Sequence, residues 1–255
     1  MMIEPLDFSK YRSIVALTGA GISVASGLRP FRGPGGLWNE VDVLAYATAE
    51  ALKQDPFKVW RFFASLRQQL KYAEPNAAHY ALAKLESHME NHQNFTLITQ
   101  NVDGLHQRAM SKNVIEMHGN LKRIRCQYKK CRLKPYEDDH FSLESLPTCN
   151  LCGSPLRFDI VLFGEHIQMD IQREIKKSLR SCNLFMAIGT SREVYPAAGF
   201  VRVARSYGAK TIAINVEPIE SATSDFHEVY LGKAEEVLPE FLNQTLHSSG
   251  SQVAA

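Results

Sequence analysis

Short apolar runs alternating with amphipathic stretches constrain this chain more than any other feature. Five such runs occur, at residues 13–18, 95–99, 160–163, 184–188 and 211–216, each four to six residues long. The first reads SIVALT and leads straight into Gly19. A strand that is apolar on both faces must be covered on both faces, as in a parallel sheet. The segments between the runs carry the helical period. Val59, Phe62, Phe63, Leu66 and Leu70 form one stripe within 55–72, and Ala78, Leu82, Leu85 and Met89 form another within 76–90. Residues 170–181 and 194–206 also read as helices. This alternation predicts an α/β fold with an open, mostly parallel sheet. A chain of 255 residues suits one large domain with a small insertion.

Composition excludes several classes. Hydrophobic residues make up 45% and charged residues 22%, which is neither disordered nor collagen-like. A net charge of +2 lacks the basic excess of a dedicated DNA binder. No run of 18 apolar residues occurs, so no membrane span is expected. The opening MMIEPLDFSK contains two acids and no apolar core, unlike a signal or transit peptide. The expected compartment is the cytoplasm, where structural disulfides are rare.

The rhythm breaks between Lys122 and Arg157, a stretch rich in Lys, Arg, Cys and Pro. Four of the five cysteines lie here, Cys126, Cys131, Cys149 and Cys152, spaced C-x4-C, then 17 residues, then C-x2-C. Two such pairs place four thiolates around one tetrahedral ion, and Zn²⁺ suits both the geometry and the soft sulfur ligands. With all four positions taken by sulfur the zinc is structural, and it supplies folding energy that so small a module lacks. The alternative use of these thiols is two disulfides, which the expected compartment disfavours. Seven Lys or Arg fall within 122–134, but Glu137, Asp138, Asp139 and Glu144 follow them, so they read as a solvated face. Cys182 stands alone and reads as a small buried hydrophobe. The expected organisation is one domain built from 1–121 and 158–246, a zinc-binding module at 122–157, and a frayed tail at 247–255.

Polar clusters follow the apolar runs. Gly19-Ala20-Gly21-Ile22-Ser23 comes after the first, where glycines allow a phosphate to approach the backbone. The ordinary dinucleotide fingerprint is G-x-G-x-x-G, and here Val24 stands at the third glycine. By itself the motif fits a tight turn as well as a phosphate loop, since many strand-to-helix turns contain two glycines. Thr99-Gln100-Asn101-Val102-Asp103-Gly104-Leu105-His106 follows the second run, and Glu116-Met117-His118-Gly119-Asn120 comes soon after. Ile160–Glu165 reads as a strand ending in a glycine, suited to pairing with an extended peptide. Gly189-Thr190-Ser191 and Asn215-Val216-Glu217 follow the last two runs. Ligands of open α/β sheets bind beyond the carboxyl ends of the strands, so these clusters converge on one crevice.

Taken in order, GAGIS, SGLRPFRG, TQNVDGLH, the His of EMHGNL, the four cysteines, VLFGE, GTS and INVEP resemble the sirtuins, NAD-dependent protein-lysine deacylases. The resemblance spans roughly 10–245, and the compact GPGGLW loop is similar to the bacterial and mitochondrial deacylase branch. It implies a Rossmann-like domain, a small zinc module, and NAD and an acyl-lysine peptide meeting in the cleft between them. It further implies that Gly19, Ala20, Gly21 and Ser23 serve the diphosphate and that Phe31, Arg32 and Trp38 belong to a loop over the NAD. Gln100, Asn101 and Asp103 would hold the nicotinamide-ribose end. Gly189, Thr190, Ser191, Asn215, Glu217 and Ala234 would hold the adenosine end. Val161, Phe163 and Gly164 would meet the peptide, and His118 would be the general base. Cys126, Cys131, Cys149 and Cys152 would bind one structural Zn²⁺.

Relatives that remove acidic acyl groups carry a Tyr-x-x-Arg pair on the helix after the glycine loop. Here Phe63 and Leu66 occupy those positions, with Arg67 about 100° further around. An apolar pair cannot compensate a buried carboxylate. The resemblance therefore implies a deacetylase, open to longer apolar acyl chains and weak on succinyl-lysine, that releases nicotinamide and O-acetyl-ADP-ribose. Its partners would be acyl-lysine proteins, with no stable nucleic acid, no membrane and a monomeric state. Competing readings are a mono-ADP-ribosyltransferase, a hydride-transferring dehydrogenase, which Val24 disfavours, and a zinc-ribbon nucleic-acid binder, which the balanced charge disfavours.

Overall fold

The computed structural model describes residues 6–30, 36, 43–139, 142–191, 195–218 and 225–248, with backbone only from 243. Its larger sheet has six parallel strands among the described residues. They are β1 (Ser13–Thr18), β2 (Asn94–Thr99), β3 (Val114–Glu116), β7 (Leu184–Ile188), β8 (Lys210–Asn215) and β9 (Glu228–Leu231), in the order β3-β2-β1-β7-β8-β9. A second, antiparallel sheet joins β4 (Gly119–Cys126), β5 (Tyr136–Glu137) and β6 (Leu156–Ile160) in the order β5-β4-β6.

The central strands β1 and β7 are buried throughout, because helices cover both faces. Side chains alternate between the two layers. Ile14, Ala16, Leu184, Met186, Ile212 and Ile214 face the layer of α3 (Ala77–Ser87) and α7 (Ala234–Ser248), packing on Leu82, Leu85, Leu238 and Phe241. Val15, Leu17, Phe185 and Ala187 face the layer of α5 (Met169–Ser181) and α6 (Phe200–Ser206), packing on Ile175, Leu179, Val201 and Ala204. A third core lies outside the large sheet. There α1 (Ala49–Gln54) and α2 (Pro56–Leu70) bring Leu52, Val59, Trp60 and Phe63 against Ile124, Leu156, Phe158 and Ile160 of the second sheet. The Trp60 and Phe158 rings stack at 4.5 Å. The short α4 (Leu105–Arg108) follows β2.

Local chemistry sets the helix starts. Asp55 caps α2 by accepting from the Lys58 N–H, and Pro56 takes the first helical position, where no N–H is needed. Asn76 caps α3 by accepting from the Ala78 N–H, while the Asn76 N–H donates to His79 Nδ1, closing a reciprocal box.

The structure departs from the sequence reading at four places. Residues 160–163 are not a strand of the parallel sheet: Ile160 ends β6, Val161 and Leu162 carry no regular structure, and Phe163 forms an isolated bridge with Thr48. Ile160 and Leu162 are drawn into the third core, so the run is apolar for a different neighbour. The span expected as a helix at 194–206 is helical only at Phe200–Ser206, after a 3-10 turn at Ala197–Gly199. β3 and β9 escape detection because they hold three and four residues and mix polar with apolar types. α7 runs to Ser248, two residues into the stretch expected to fray. Among the described residues no helix is long and apolar enough to cross a membrane.

Phe185 is fully buried at the centre of the sheet. Phe185→Ala is expected to cost about 3–5 kcal/mol of unfolding free energy, through lost burial and the cavity left behind. Chemical denaturation should show a lower midpoint with an unchanged slope.

Candidate active site

The sheet order places a switch between β1 and β7: the chain leaves β1 toward β2 and β3, and the later strands lie on the other side. Ligands of open sheets bind at such a point. Here the backbones of two loops touch. The Gly19 N–H donates to Ile188 O at 3.0 Å, and the Gly21 N–H donates to Gly189 O at 2.9 Å. A Cβ on Gly21 would sit 2.7 Å from the Gly189 Cα, and one on Gly189 would sit 2.5 Å from the Ile22 nitrogen. Gly189 also has φ +58°, a conformation that side chains resist. The glycines therefore serve the approach of one loop to the other as well as any ligand. A 3-10 turn over Ala20–Ser26 follows, where an α-helix would be usual for a dinucleotide site.

A cleft of about 1540 Å³ opens above this contact. It is lined by Gly19, Ala20 and Gly21 from the first loop, Gln100 and Asn101 beyond β2, and His118 beyond β3. Gly189, Thr190 and Ser191 beyond β7, Asn215 and Glu217 beyond β8, and Ala234 at the start of α7 complete that side. Val161, Phe163 and Gly164 form the opposite lip, with Phe63 of α2. Almost every expected residue within the described chain thus meets in one crevice. Phe31, Arg32 and Trp38 lie outside the described residues.

Three expected residues do not line the cleft. Ser23 and Asp103 lie beneath it, buried in a polar network. The Ser23 hydroxyl donates to Asp103 Oδ2 at 2.8 Å and accepts from Asn101 Nδ2 at 3.1 Å, and Asn101 Nδ2 also donates to Gly19 O. Asp103 Oδ1 accepts from the Leu105 N–H at 2.9 Å. Burial pushes the Asp103 carboxyl up, against these donors. The third, Leu66, packs into the third core, away from the crevice. Its neighbour Arg67 is buried against Asp138 at 3.7 Å and over the Phe158 ring.

Two histidines that the sequence reading passed over complete the network. His79 Nδ1 accepts from the Asn76 N–H, so Nε2 carries the proton and faces the Ser23 hydroxyl at 3.5 Å. His106 Nε2 meets the Thr18 hydroxyl at 2.9 Å, and that hydroxyl donates to Thr99 Oγ1. The two rings lie 4.8 Å apart. Burial pushes His79 down to about 4, and burial with the His79 charge pushes His106 down to about 3, so both are neutral at ordinary pH. The Asn76-x-x-His79 spacing was the available signal for a capping box.

His118 is held differently. Its Nδ1 lies 2.9 Å from Gln100 O. A carbonyl only accepts, so Nδ1 carries the proton and Nε2 keeps a lone pair on a ring that lines the cleft. Burial lowers its basicity, and the bond to Gln100 O partly opposes that. Gln100 Nε2 in turn donates to Thr190 Oγ1 at 3.0 Å, tying the ends of β2 and β7 across β1.

The four cysteines of the module gather as the spacing predicts. Their sulfurs all lie within 4.8 Å of one another, with Cys126–Cys152 at 3.5 Å and Cys131–Cys149 at 3.6 Å. Tetrahedral Zn–S bonds of about 2.3 Å require sulfur separations of about 3.8 Å, so the cluster fits one structural Zn²⁺. None of the four is in a disulfide. Cys182 is buried beside Leu179 O and its thiol is pushed up to about 11 by burial, which makes it inert.

The sequence model of the Sir2 family matches residues 19–196. The chain is 45% identical over 244 residues to a protein of Pasteurella multocida named NAD-dependent protein deacylase, covering 93% of this chain and all of that one. It is 43% identical over 247 residues to a protein of that name from Escherichia coli strain K12, covering 96% and 85%. Among solved structures it resembles a Sir2 homolog–NAD complex, with a TM-score of 0.85 and 36% identity over 95% of this chain and 92% of that one. A complex described as Sir2, p53 peptide and NAD⁺ matches with a TM-score of 0.77 and 32% identity, over 95% of each chain.

Two outcomes follow from the buried groups. Purified protein should carry one zinc per chain by atomic emission, and Cys149→Ser should lose it and unfold at lower temperature. The two neutral histidines also make stability fall in acid. Their folded pKa values lie below the unfolded 6.5, so their contribution is intact above pH 6.5 and is lost as pH falls from there toward 4 and 3. Denaturant titrations over that range should show the loss, and His79→Gln should flatten it.

Proposed function

The chain belongs to the Sir2 family and is by homology an NAD-dependent protein deacylase, and from that premise we propose that it acts chiefly as a deacetylase of protein lysines. The observation that carries this reading is one crevice holding three things together. It has a glycine contact that leaves room for a diphosphate, an apolar lip suited to an acyl-lysine, and an imidazole whose unprotonated nitrogen has no hydrogen-bond partner among the described residues.

When bound, NAD supplies a ribose carbon made electrophilic by departure of nicotinamide. Gly19, Ala20 and Gly21 would border its diphosphate, and Gly189, Thr190, Ser191, Asn215, Glu217 and Ala234 its adenosine. Gln100 and Asn101 would hold the nicotinamide-ribose end, with Asp103 and Ser23 acting from below by orienting Asn101. Val161, Phe163 and Gly164 would receive the peptide. Holding the acyl oxygen in line with the ribose carbon is what makes so weak a nucleophile react. His118 Nε2 then takes a proton from a ribose hydroxyl, while the fixed Nδ1–H···O bond to Gln100 keeps the ring in the basic tautomer.

The preference for acetyl rests on α2. Phe63 presents an apolar ring to the cleft, Leu66 is spent in the third core, and Arg67 is committed to Asp138. A succinyl carboxylate placed beside Phe63 would be desolvated without a counter-charge from this helix. The proposal extends to acyl-lysine proteins as substrates, and to a monomer acting in the cytoplasm without nucleic acid, in keeping with the balanced charge. No specific observation favours a mono-ADP-ribosyltransferase.

Incubation with NAD and acyl-lysine peptides, read by mass spectrometry, tests the reading. The expected products are free lysine peptide, nicotinamide and O-acetyl-ADP-ribose, with kcat/KM for succinyl-lysine at least about tenfold below acetyl-lysine. His118→Ala should lower turnover by at least about a hundredfold with the fold retained. Because burial lowers the His118 pKa, the acid limb of kcat/KM should have its midpoint below 6.5, with activity rising as pH rises through it.

A further inference from the structure

Beyond Ile160, the last residue of β6, the lip of the cleft runs through residues 161–165 outside both sheets, yet its backbone is tightly held. The Val161 N–H donates to His118 O, the Phe163 N–H to Ala47 O and the Ala49 N–H to Phe163 O, each at 2.9 Å. The Val161 carbonyl and the Gly164 N–H have no hydrogen-bond partner among the described residues. The lip is therefore held at Val161, Leu162 and Phe163, and the Val161 carbonyl and the Gly164 N–H stay available to a peptide.

Beneath the lip lies a buried ion pair that the chemistry above does not employ. Arg157 of β6 grips Glu165 with both arms of its guanidinium, Nη1 to Oε1 at 2.6 Å and Nη2 to Oε2 at 3.0 Å. The pair also bonds the segment itself. Arg157 Nη2 donates to Ile160 O at 2.9 Å, and the Leu162 N–H donates to Glu165 Oε2 at 2.9 Å. The two side chains thus close the loop from its first residue to its last. Their side chains are only 8% and 18% exposed, so water competes weakly. Burial raises the Glu165 carboxyl, and Arg157 more than offsets it, so the carboxylate stays charged.

We propose that the buried Arg157–Glu165 pair is a positioning device for peptide recognition: it fixes the lip, with its turn at Leu162–Glu165, in the shape that an acyl-lysine peptide pairs with, and leaves NAD binding alone. Neither side chain needs to touch the reacting atoms. The glycine contact that would receive the dinucleotide lies on the other wall, built by β1 and β7. The proposal rests on the deacylase reading for the identity of the peptide, but the ordering of the lip can be tested without it.

Glu165→Gln keeps the shape and removes the charge. Steady-state kinetics of the zinc-loaded full chain, with an acetyl-lysine peptide and NAD, should show the peptide KM raised about tenfold or more, with kcat within about threefold. NAD affinity by calorimetry should stay within about twofold. Arg157→Lys, which keeps the charge without the fork, should fall between Glu165→Gln and the parent. Amide exchange at Leu162 and Phe163 should quicken in Glu165→Gln, while the 19–21 loop is unchanged. Should Glu165→Gln fail to fold, Arg157→Met with Glu165→Leu removes both charges and still lacks the two backbone bonds, so the same KM split is expected. An unchanged peptide KM, a parallel fall in NAD affinity, or unaltered exchange at 162–163 overturns the proposal. If the parent enzyme does not turn over the peptide, the deacylase reading fails, and the exchange measurement still decides the brace.

Discussion

The contact between the Gly19–Gly21 turn and Gly189 is the constraint on which the site depends. It joins the carboxyl ends of β1 and β7 through main-chain bonds at 3.0 and 2.9 Å, with no side chain between them. This is the point where the strand order changes direction. A Cβ at any of Gly19, Gly21 or Gly189 would collide with backbone, so the floor of the cleft exists only because these positions lack one. Everything else in the crevice is arranged around that floor.

Two layers of polar chemistry then divide the work. The upper layer, His118, Gln100 and Asn101, lines the cleft. The lower layer, Ser23, Asp103, His79, His106, Thr18 and Thr99, is buried and hydrogen-bonded, except that His106 Nδ1 has no partner among the described residues. Within the upper layer it holds Asn101, whose Nδ2 donates to Ser23 Oγ and whose backbone N–H donates to Thr99 Oγ1, as outer partners hold a metal ligand. The histidines show the difference. Burial drives all three toward neutrality, but of the three His118 alone uses its Nδ1–H on a carbonyl while its ring lines the cleft, which leaves its Nε2 as the unprotonated nitrogen there.

The cysteine module contributes from outside the large sheet. Its strands β4 and β6 share a core with α1 and α2, so the helix that carries Phe63 and the strand that carries Arg157 belong to one packed unit. The Phe63 wall and the lip of the cleft are therefore built on the part of the fold that carries the four cysteines, and the glycine floor on the parallel sheet. A polar chain of Glu116, Arg123, Asp159 and Arg125 links the two behind His118.

The parallel sheet was legible in the sequence because β1, β7 and β8 are buried on both faces, and such strands must read as apolar runs. The four thiols were legible because ligand spacing is a local property. His118, the glycines and the strand-end residues were legible through motif order. The run at 160–163 misled, since a pattern of apolar side chains records that a segment is buried but not against what. That Ser23, Asp103 and Leu66 lie off the cleft lining was not legible, since burial depth is settled by neighbours far along the chain. The His79–Ser23 and Gln100–Thr190 contacts join residues 56 and 90 positions apart, and the Arg157–Glu165 brace gains its meaning from the lip folded over it. Local pattern thus determined the elements, the metal ligands and the chemical vocabulary of the site. Which hydrogen bonds those residues make, and so which nitrogen is a base, was decided by the tertiary structure, because long-range packing alone brings the partners within reach.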